Sequence, residues 1–255
     1  MTTTDIRLAA ELAGQAGQRL LGLRADSGLT GAELGKKGDA LANDFLLERL
    51  AAERSTDAVL SEEAKDDKAR LAAERVWIVD PLDGTKEYAQ GGSDWAVHVA
   101  LWEAGAGITA AAVAQPDLDT VHASGQPASA TEPPAVPRIL VSASRPPEFA
   151  DAVAREVSGE LVPMGSAGAK TMAVLRGEAE IYVHAGGQWE WDSAAPVGVA
   201  RAAGLYASRI DGAPLRYNRE DPYLPDLVVC RPEFAERVLA AIGAWPHGEP
   251  GKQAD

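Results

Sequence analysis

Trp77-Ile78-Val79-Asp80-Pro81-Leu82-Asp83-Gly84-Thr85 is an apolar strand that ends in an aspartate, followed by a proline that turns the chain and then a second aspartate, a glycine and a threonine. The run from Val76 to Val79 is apolar without interruption, so the strand is expected to be covered on both faces and central in its sheet. Two carboxylates three residues apart on a rigid turn can both face one point. Gly84 lets the backbone approach a ligand closely, and the N–H groups of Gly84 and Thr85 can face an anion. Asp-Pro and Asp-Gly are also ordinary turn signals, so the segment alone leaves a plain turn and a binding turn open.

Two further acidic elements weigh against the plain turn. Glu62-Glu63 directly follows a short apolar strand, Asp57 to Leu60. Strands that end together in one sheet bring their following residues together. Glu190-Trp191-Asp192-Ser193-Ala194-Ala195-Pro196 places Asp192 at the start of an apolar helix, where it can be an N-cap and still bind a cation. Clustered carboxylates repel one another unless a cation joins them. Hard cations with oxygen ligands, Mg²⁺ above all, are the natural partners. Two such ions sharing a carboxylate stabilise both the attacking and the leaving oxygen of an in-line displacement at phosphorus. The constellation predicts metal-assisted phosphoryl hydrolysis.

Outward from this centre, residues 5–24 space their leucines as an amphipathic helix, capped by Thr4 or Asp5. The glycine-rich residues 25–38 are expected to break it, and a second helix to run over 39–53. Residues 64–75 read as a short exposed helix, and 95–102, 108–114 and 120–122 as three strands of an antiparallel meander. Four prolines make 125–137 a linker. Strands at 138–142, 160–163, 179–183, 205–208 and 226–230 then alternate with helices at 147–157, 167–176, 193–203 and 232–242. Residues 246–255 read as a frayed polar tail. The expected fold is α/β (α+β): a layered αβαβα sandwich with a largely antiparallel N-terminal sheet and a smaller mixed C-terminal sheet. Residues 1–137 would form a subdomain with most metal ligands, and 138–255 one with Asp192 and the substrate-binding residues, the site lying in the crevice between them.

The chain has 255 residues, 46% of them apolar, which excludes a fully disordered protein. Acidic residues outnumber basic ones 38 to 24, and the net charge of −14 argues against non-specific binding to nucleic acid or anionic membranes. No stretch approaches the roughly 18 apolar residues of a membrane span. No signal peptide is visible, so a cytoplasmic location is expected; a homodimer is left open. Cys230 is the single cysteine, which rules out an internal disulfide and a zinc-thiolate site; it reads as a small core residue. His98, His122, His184 and His247 lack metal-ligand spacing. His98 is expected to pack or face solvent, and a substrate contact is left open for His184. Trp95, Trp102 and Trp189 are read as core or rim rather than as a base-stacking platform. G-x-S-x-G and P-loop patterns do not occur.

Ser-Glu-Glu, W-I-V-D-P-L-D-G-T and W-D-x-A-A-P, in this order and spacing, resemble the lithium-sensitive, Mg²⁺-dependent phosphatases related to inositol monophosphatase. Lys86-Glu87-Tyr88-Ala89-Gln90-Gly91 and Gly165-Ser166-Ala167-Gly168-Ala169-Lys170 look most like the 3′(2′),5′-bisphosphate nucleotidase (CysQ-type) branch. The resemblance implies two or three Mg²⁺ per site. Glu62, Asp80 and the Leu82 carbonyl would hold the first, and Asp80, Asp83 and Asp192 the second. Glu62 and Thr85 would orient the attacking water, Gly84 and Thr85 would take up phosphate oxygens, and Ser166 with Ala167 would contact the sugar. Lys170 would meet a second phosphate or be a solvated helix lysine, and Arg145 is a further candidate for the nucleotide phosphate. The family's Pro-Val-Thr-x-Ala-Asp is missing. Asp39 and Asp44 therefore compete for a third metal, Asp39 being preferred on length and an N-cap being its plain alternative. The implied reaction is hydrolysis of 3′-phosphoadenosine 5′-phosphate or its sulfated form, a small phosphorylated nucleotide. Inositol monophosphatase or fructose-1,6-bisphosphatase chemistry is the alternative, and a non-catalytic nucleotide-binding module a remote one.

Overall fold

The computed structural model describes residues 2–66, 68–129 and 132–245. Strand β1 (Ala58–Ser61) runs parallel to β2 (Arg75–Asp83). Then β3 (Ala96–Glu103), β4 (Gly107–Gln115) and β5 (Thr120–Ala123) follow as an antiparallel meander, in the order β1-β2-β3-β4-β5. Side chains alternate across a strand. Trp77 and Val79 therefore enter one core, with Val97, Val99, Leu101, Ala110 and Ala112, while Val76 and Ile78 enter another, with Ala100, Ala111 and Val113. Both faces are buried, which is why β2 carries no polar alternation.

The outer core is closed by α1 (Thr2–Asp26) and α2 (Gly31–Glu53). The inner one is closed by α5 (Ala167–Arg176) and α6 (Glu190–Ala202), which also pack on the second sheet. That sheet comprises β6 (Arg138–Ser142), β7 (Glu160–Met164), β8 (Ile181–Trp189), β9 (Tyr206–Ser208) and β10 (Tyr223–Cys230), in the order β7-β6-β8-β10-β9. β6 is parallel to β7 and β8, and β10 antiparallel to β8 and β9, so the sheet is mixed. Its strand count equals that of the first sheet, five each. Its far face is covered by α4 (Ala150–Val157) and α7 (Ala235–Ala244). The result is the expected αβαβα layering. Cys230 is a buried core residue of this last interface. Among the described residues no helix is long and apolar enough to cross a membrane.

The main departure lies in the glycine-rich segment. α2 starts at Gly31, eight residues before the expected 39, and Gly35 and Gly38 sit inside it. They serve close packing. A Cβ on Gly35 would stand 2.8 Å from Thr85 Cγ2, and one on Gly38 3.0 Å from Leu82 Cδ2 and Tyr88 Cε1. The helix lies directly on the Leu82–Tyr88 segment because these two positions have no side chain. Asp5 does not cap α1; it is buried in the first turn and takes hydrogen bonds from Arg54 Nε at 3.0 Å and Arg75 Nη2 at 3.2 Å. The helix expected within 64–75 is, among the described residues, a 3₁₀ turn, Ala69–Ala72, and its Arg70 is buried between Asp66 and Asn218. α4 begins at Ala150 rather than 147, after Pro146 and Pro147. β8 is longer than expected and passes straight into α6. The tail 246–255 with His247, and residues 130–131 of the linker, lie outside the described residues.

The two kinds of helix glycine predict opposite effects. Gly38→Val, which forces branched carbons onto Leu82 and Tyr88, lowers stability by about 2 kcal/mol, roughly 4–8 °C in Tm. Gly22→Ala, in α1 with nothing within 4 Å of the new Cβ, raises it by about 0.5–1 kcal/mol. Thermal unfolding of the two variants checks both signs.

Candidate active site

The β2–β3 ladder pairs Asp80 with His98 and then Asp83 with Ala96, so β2 carries one residue more than its partner across this interval. Pro81 falls inside it and has no N–H to give the ladder. In a regular strand, residues three apart point to opposite faces. The extra residue cancels that, and Asp80 and Asp83 reach the same side. Asp80 is held by the Leu82 N–H, which donates to its Oδ1 at 3.0 Å.

The third carboxylate arrives from the other half of the chain. Trp189 occupies the N-cap position of α6, and the Asp192 carboxylate accepts the Trp189 N–H at 2.6 Å. Asp192 is thus the third residue of the helix and reaches back to its start, whereas an N-cap at Asp192 was expected. Glu190 turns away and binds the N–H groups of Asn218 and Arg219 at 2.6 and 2.8 Å. Asp80, Asp83 and Asp192 each place an oxygen within 4.8 Å of the others. Glu62, one residue beyond the β1–β2 register, hydrogen-bonds Asp80 from the rim. Glu63 is exposed. Ser61 Oγ donates to Asn43 Oδ1 at 2.8 Å and ties the end of β1 to α2.

Asp39 and Asp44 are separated by this geometry. Asp39 lies mid-helix in α2, so it is no N-cap, and its Oδ1 is 3.1 Å from the Thr85 hydroxyl. Asp44 is exposed on another face of the same helix. The Thr85 hydroxyl also lies 3.0 Å from the Leu82 carbonyl. Thr85 opens the short helix α3 (Thr85–Ala89), and Gly84 before it has φ +86°. A Cβ there would lie 2.7 Å from the Asp94 carbonyl oxygen. Only glycine fits this position.

Asp83 is the most tightly held carboxylate. The Ser166 hydroxyl donates to it, as do the N–H groups of Ala167 and Gly168 at 3.2 and 2.7 Å. Ser166 has φ +48°, a left-handed backbone uncommon for serine, and caps α5 by accepting the Ala169 N–H at 2.9 Å. Fully buried His98 completes the arrangement, with Nε2 3.3 Å from Asp83 Oδ2 and Nδ1 3.1 Å from the Trp191 carbonyl. Gly168 makes room for the ring, since a Cβ would stand 2.1 Å from His98 Nε2. Lys170 is buried, not solvated. Its ammonium donates to the carbonyls of Met164, Gly165 and Ser166 at 3.3, 3.0 and 2.6 Å.

Burial pushes Glu62 up to about 7, reinforced by the Asp192 charge. Asp192 is raised to about 6 by burial and the Asp83 charge, and Asp39 to about 6 by burial and Glu63. Asp80 is raised well above the usual range by burial and by Glu62, Asp83 and Asp192. Burial also opposes ionisation of Asp83, but the His98 charge and the hydrogen bonds bring it down to about 2. Burial lowers Lys170 to about 8. Three carboxylates at one point with Glu62 at their rim, most of the four drawn toward protonation, form an oxygen donor set that fits a hard divalent cation. The family-independent chemistry and the geometry agree on that.

Two adjoining hollows of about 360 and 350 Å³ open beside the carboxylates and share Ser142, Ser166 and Lys170. The first is lined by Asp83, Asp192 and Ala167, with Arg145 on an exposed loop and His184 on β8. Burial lowers His184 to about 4, so it is neutral. The second takes in Gly84 and Thr85. A larger hollow of about 750 Å³, between the β3–β4 hairpin and the end of α6, is lined by none of the acidic residues. Sequence reasoning missed His98 beneath Asp83 and Trp189 on the wall of the first hollow. His98 had a signal: it shares a strand face with Ala96 and Ala100, the face toward Asp192.

The description "Inositol monophosphatase family" matches residues 1–244. A protein of Mycobacterium leprae (strain TN) named 3′-phosphoadenosine 5′-phosphate phosphatase is 52% identical, over 94% of this chain and 93% of its own length. A protein of the same name from Mycobacterium tuberculosis (strain CDC 1551 / Oshkosh) is 54% identical, over 90% of each chain. The crystal structure of CysQ from Bacteroides thetaiotaomicron, described as a bacterial member of the inositol monophosphatase family, superposes with a TM-score of 0.76 at 25% identity, over 89% of this chain and 97% of that one.

Two outcomes are expected from the geometry. Without divalent cations, Asp80→Asn is more stable than the unaltered protein by about 1 kcal/mol, because it removes one of the crowded like charges. Gly168→Ala, which drives a methyl group into His98, weakens Mn²⁺ binding by about 10- to 100-fold. Thermal unfolding in a chelator measures the first, and calorimetric titration the second.

Proposed function

The chain belongs to the inositol monophosphatase family, and we propose that it is a Mg²⁺-dependent phosphatase removing the 3′-phosphate of 3′-phosphoadenosine 5′-phosphate to give AMP and phosphate. The sulfated nucleotide is a second substrate and yields adenylyl sulfate. The observation that carries the reading is the convergence of Asp80, Asp83 and Asp192 within 4.8 Å, joined by Glu62, beside a hollow lined by Ser166, Ala167 and Lys170 of the nucleotidase-like segment. The names of relatives aligned over nine-tenths of the chain support the same substrate.

Glu62, Asp80, the Leu82 carbonyl, Asp83 and Asp192 would hold two Mg²⁺ ions, with Asp39 near a third. Bound there, the ions supply Lewis acidity toward the phosphate oxygens and make water nucleophilic at neutral pH. The protein's own groups then set the direction of attack. The Thr85 hydroxyl gives its proton to Asp39 and turns a lone pair toward the attacking water, with Glu62 on the water's other side. The water oxygen bonds to phosphorus as its proton passes to the Thr85 hydroxyl and that hydroxyl's own proton passes to Asp39, the 3′-oxygen–phosphorus bond breaks, and the leaving oxygen takes a proton from solvent. The Gly84 and Thr85 N–H groups at the first turn of α3 receive phosphate oxygens. Ser166, the two neighbouring N–H groups and His98 fix the rotamer of Asp83. Ala167 and Ser166 wall the sugar.

Lys170 spends its N–H donors on three carbonyls, so it shapes the 164–166 loop and lends charge at short range. Arg145, exposed at the hollow's edge, is left as the direct partner of the second phosphate. Since substrate and protein are both negative, attraction is local. We place the enzyme in the reducing cytoplasm, which suits a chain whose one cysteine is buried.

Phosphate release with Mg²⁺ from 3′-phosphoadenosine 5′-phosphate, inositol 1-phosphate and fructose 1,6-bisphosphate tests the reading. A kcat/KM preference for the nucleotide of about 100-fold or more, roughly 2.7 kcal/mol, is expected; equal rates on all three would falsify it. Asp80→Asn lowers kcat by several orders of magnitude while the fold persists. Arg145→Ala raises KM for the bisphosphate about 10-fold and leaves that for adenosine 3′-monophosphate nearly unchanged, whereas Lys170→Ala impairs both alike.

A further inference from the structure

We propose that Trp189 and Tyr223 form a stacking edge for the base of the nucleotide and are the residues that separate a nucleotide from other phosphate esters at this site; the proposal rests on the phosphatase reading above. Trp189 and Tyr223 are 43% and 40% exposed, and they are the aromatic members of the exposed large apolar side chains among the described residues. Both line the hollow that contains Asp83, Asp192 and Lys170. Exposed aromatic surface placed at the mouth of a site is unusual enough to ask for a partner.

The edge is built, not incidental. Trp189 and Tyr223 stand directly opposite each other at the end of the β8–β10 ladder. One face of Trp189 rests on Trp191, with ring centroids 5.4 Å apart and planes within 10°. Tyr223 meets Trp189 at 78° with centroids 5.6 Å apart, giving an aromatic corner. Gly187, at φ +95°, clears the space: a Cβ there would come within 2.8 Å of the Tyr223 hydroxyl. Rings held this way lose little freedom when a flat ligand settles on them. The backbone also links the corner to the reacting centre, because the Trp189 N–H is the one that Asp192 accepts at 2.6 Å. A base lying on the corner is therefore held in fixed register with the carboxylate cluster. Inositol and fructose phosphates have no flat π face to offer, so the corner contributes less to them than to a base.

Kinetics with two substrates of matched phosphates decide the matter: 3′-phosphoadenosine 5′-phosphate, and ribose 3,5-bisphosphate, which lacks the base. Trp189→Ala is expected to raise KM for the nucleotide about 10- to 100-fold with kcat within about twofold, and to leave both constants for ribose 3,5-bisphosphate unchanged. Trp189→Phe restores most of the nucleotide KM, and Tyr223→Ala shows a smaller loss of the same pattern. Equal losses on both substrates would make the corner a support for the fold and overturn the proposal, as would an unchanged nucleotide KM. Failure of the unaltered enzyme to hydrolyse the nucleotide overturns the phosphatase reading instead. Hydrolysis of both substrates at the same KM leaves that reading standing and removes the corner alone.

Discussion

Repulsion among four carboxylates is the constraint around which this molecule is arranged. Asp80, Asp83, Asp192 and Glu62 would separate if they were free to, and the fold denies them the freedom. Asp80 and Asp83 are fixed by a one-residue irregularity in a strand buried on both faces. Asp192 is fixed by the first turn of a helix wedged between two sheets. Layers packed on both sides allow little relaxation, so the cost of crowding remains stored until cations arrive. A surface loop with the same four residues would splay.

Close packing around the cluster comes from residues that have almost no side chain. Gly35 and Gly38 bring α2 onto the Leu82–Tyr88 segment, and through it bring Asp39 to Thr85. Gly168 brings the first turn of α5 to His98, so that backbone N–H groups reach Asp83. Each glycine forgoes helix propensity, about 1 kcal/mol against alanine, for a contact that a Cβ would prevent. The positive charges follow the same economy. His98 and Lys170 are both buried beneath the site, one against a carboxylate and one against carbonyls, where they temper the negative field without occupying the space a substrate needs.

The aromatic corner gives the outer half of the hollow a different character from the inner half. Inside, oxygen donors and backbone N–H groups suit a phosphate. At the rim, Trp189 and Tyr223 offer π surface. The two halves meet at Asp192, which faces the cluster with its carboxylate and accepts the N–H of Trp189. Recognition of the base and placement of the phosphate are in this way properties of one helix start.

Most of the architecture could be read from residues 57–124 and 138–230, because apolar runs and turn residues are local signals. Apart from the longer β8 and β10 the strands matched closely, and the three acidic segments were identifiable by type and spacing. The start of α2 was not, since glycine weakens a helix locally and the contacts that compensate come from Leu82, Thr85 and Tyr88, far along the chain. For the same reason the choice between Asp39 and Asp44 needed coordinates. Lys170 reads as a phosphate contact or a solvated lysine until the 164–166 carbonyls close around it, and His98 reads as filler until a strand irregularity sets Asp83 above it. What the sequence determined by itself is the inventory of oxygen donors and the layered fold, because both follow from side-chain type and periodicity. What only the tertiary structure decided is which donors meet, which cations are spent on the backbone and which aromatic rings stay open, because those depend on distances between segments that no local pattern encodes.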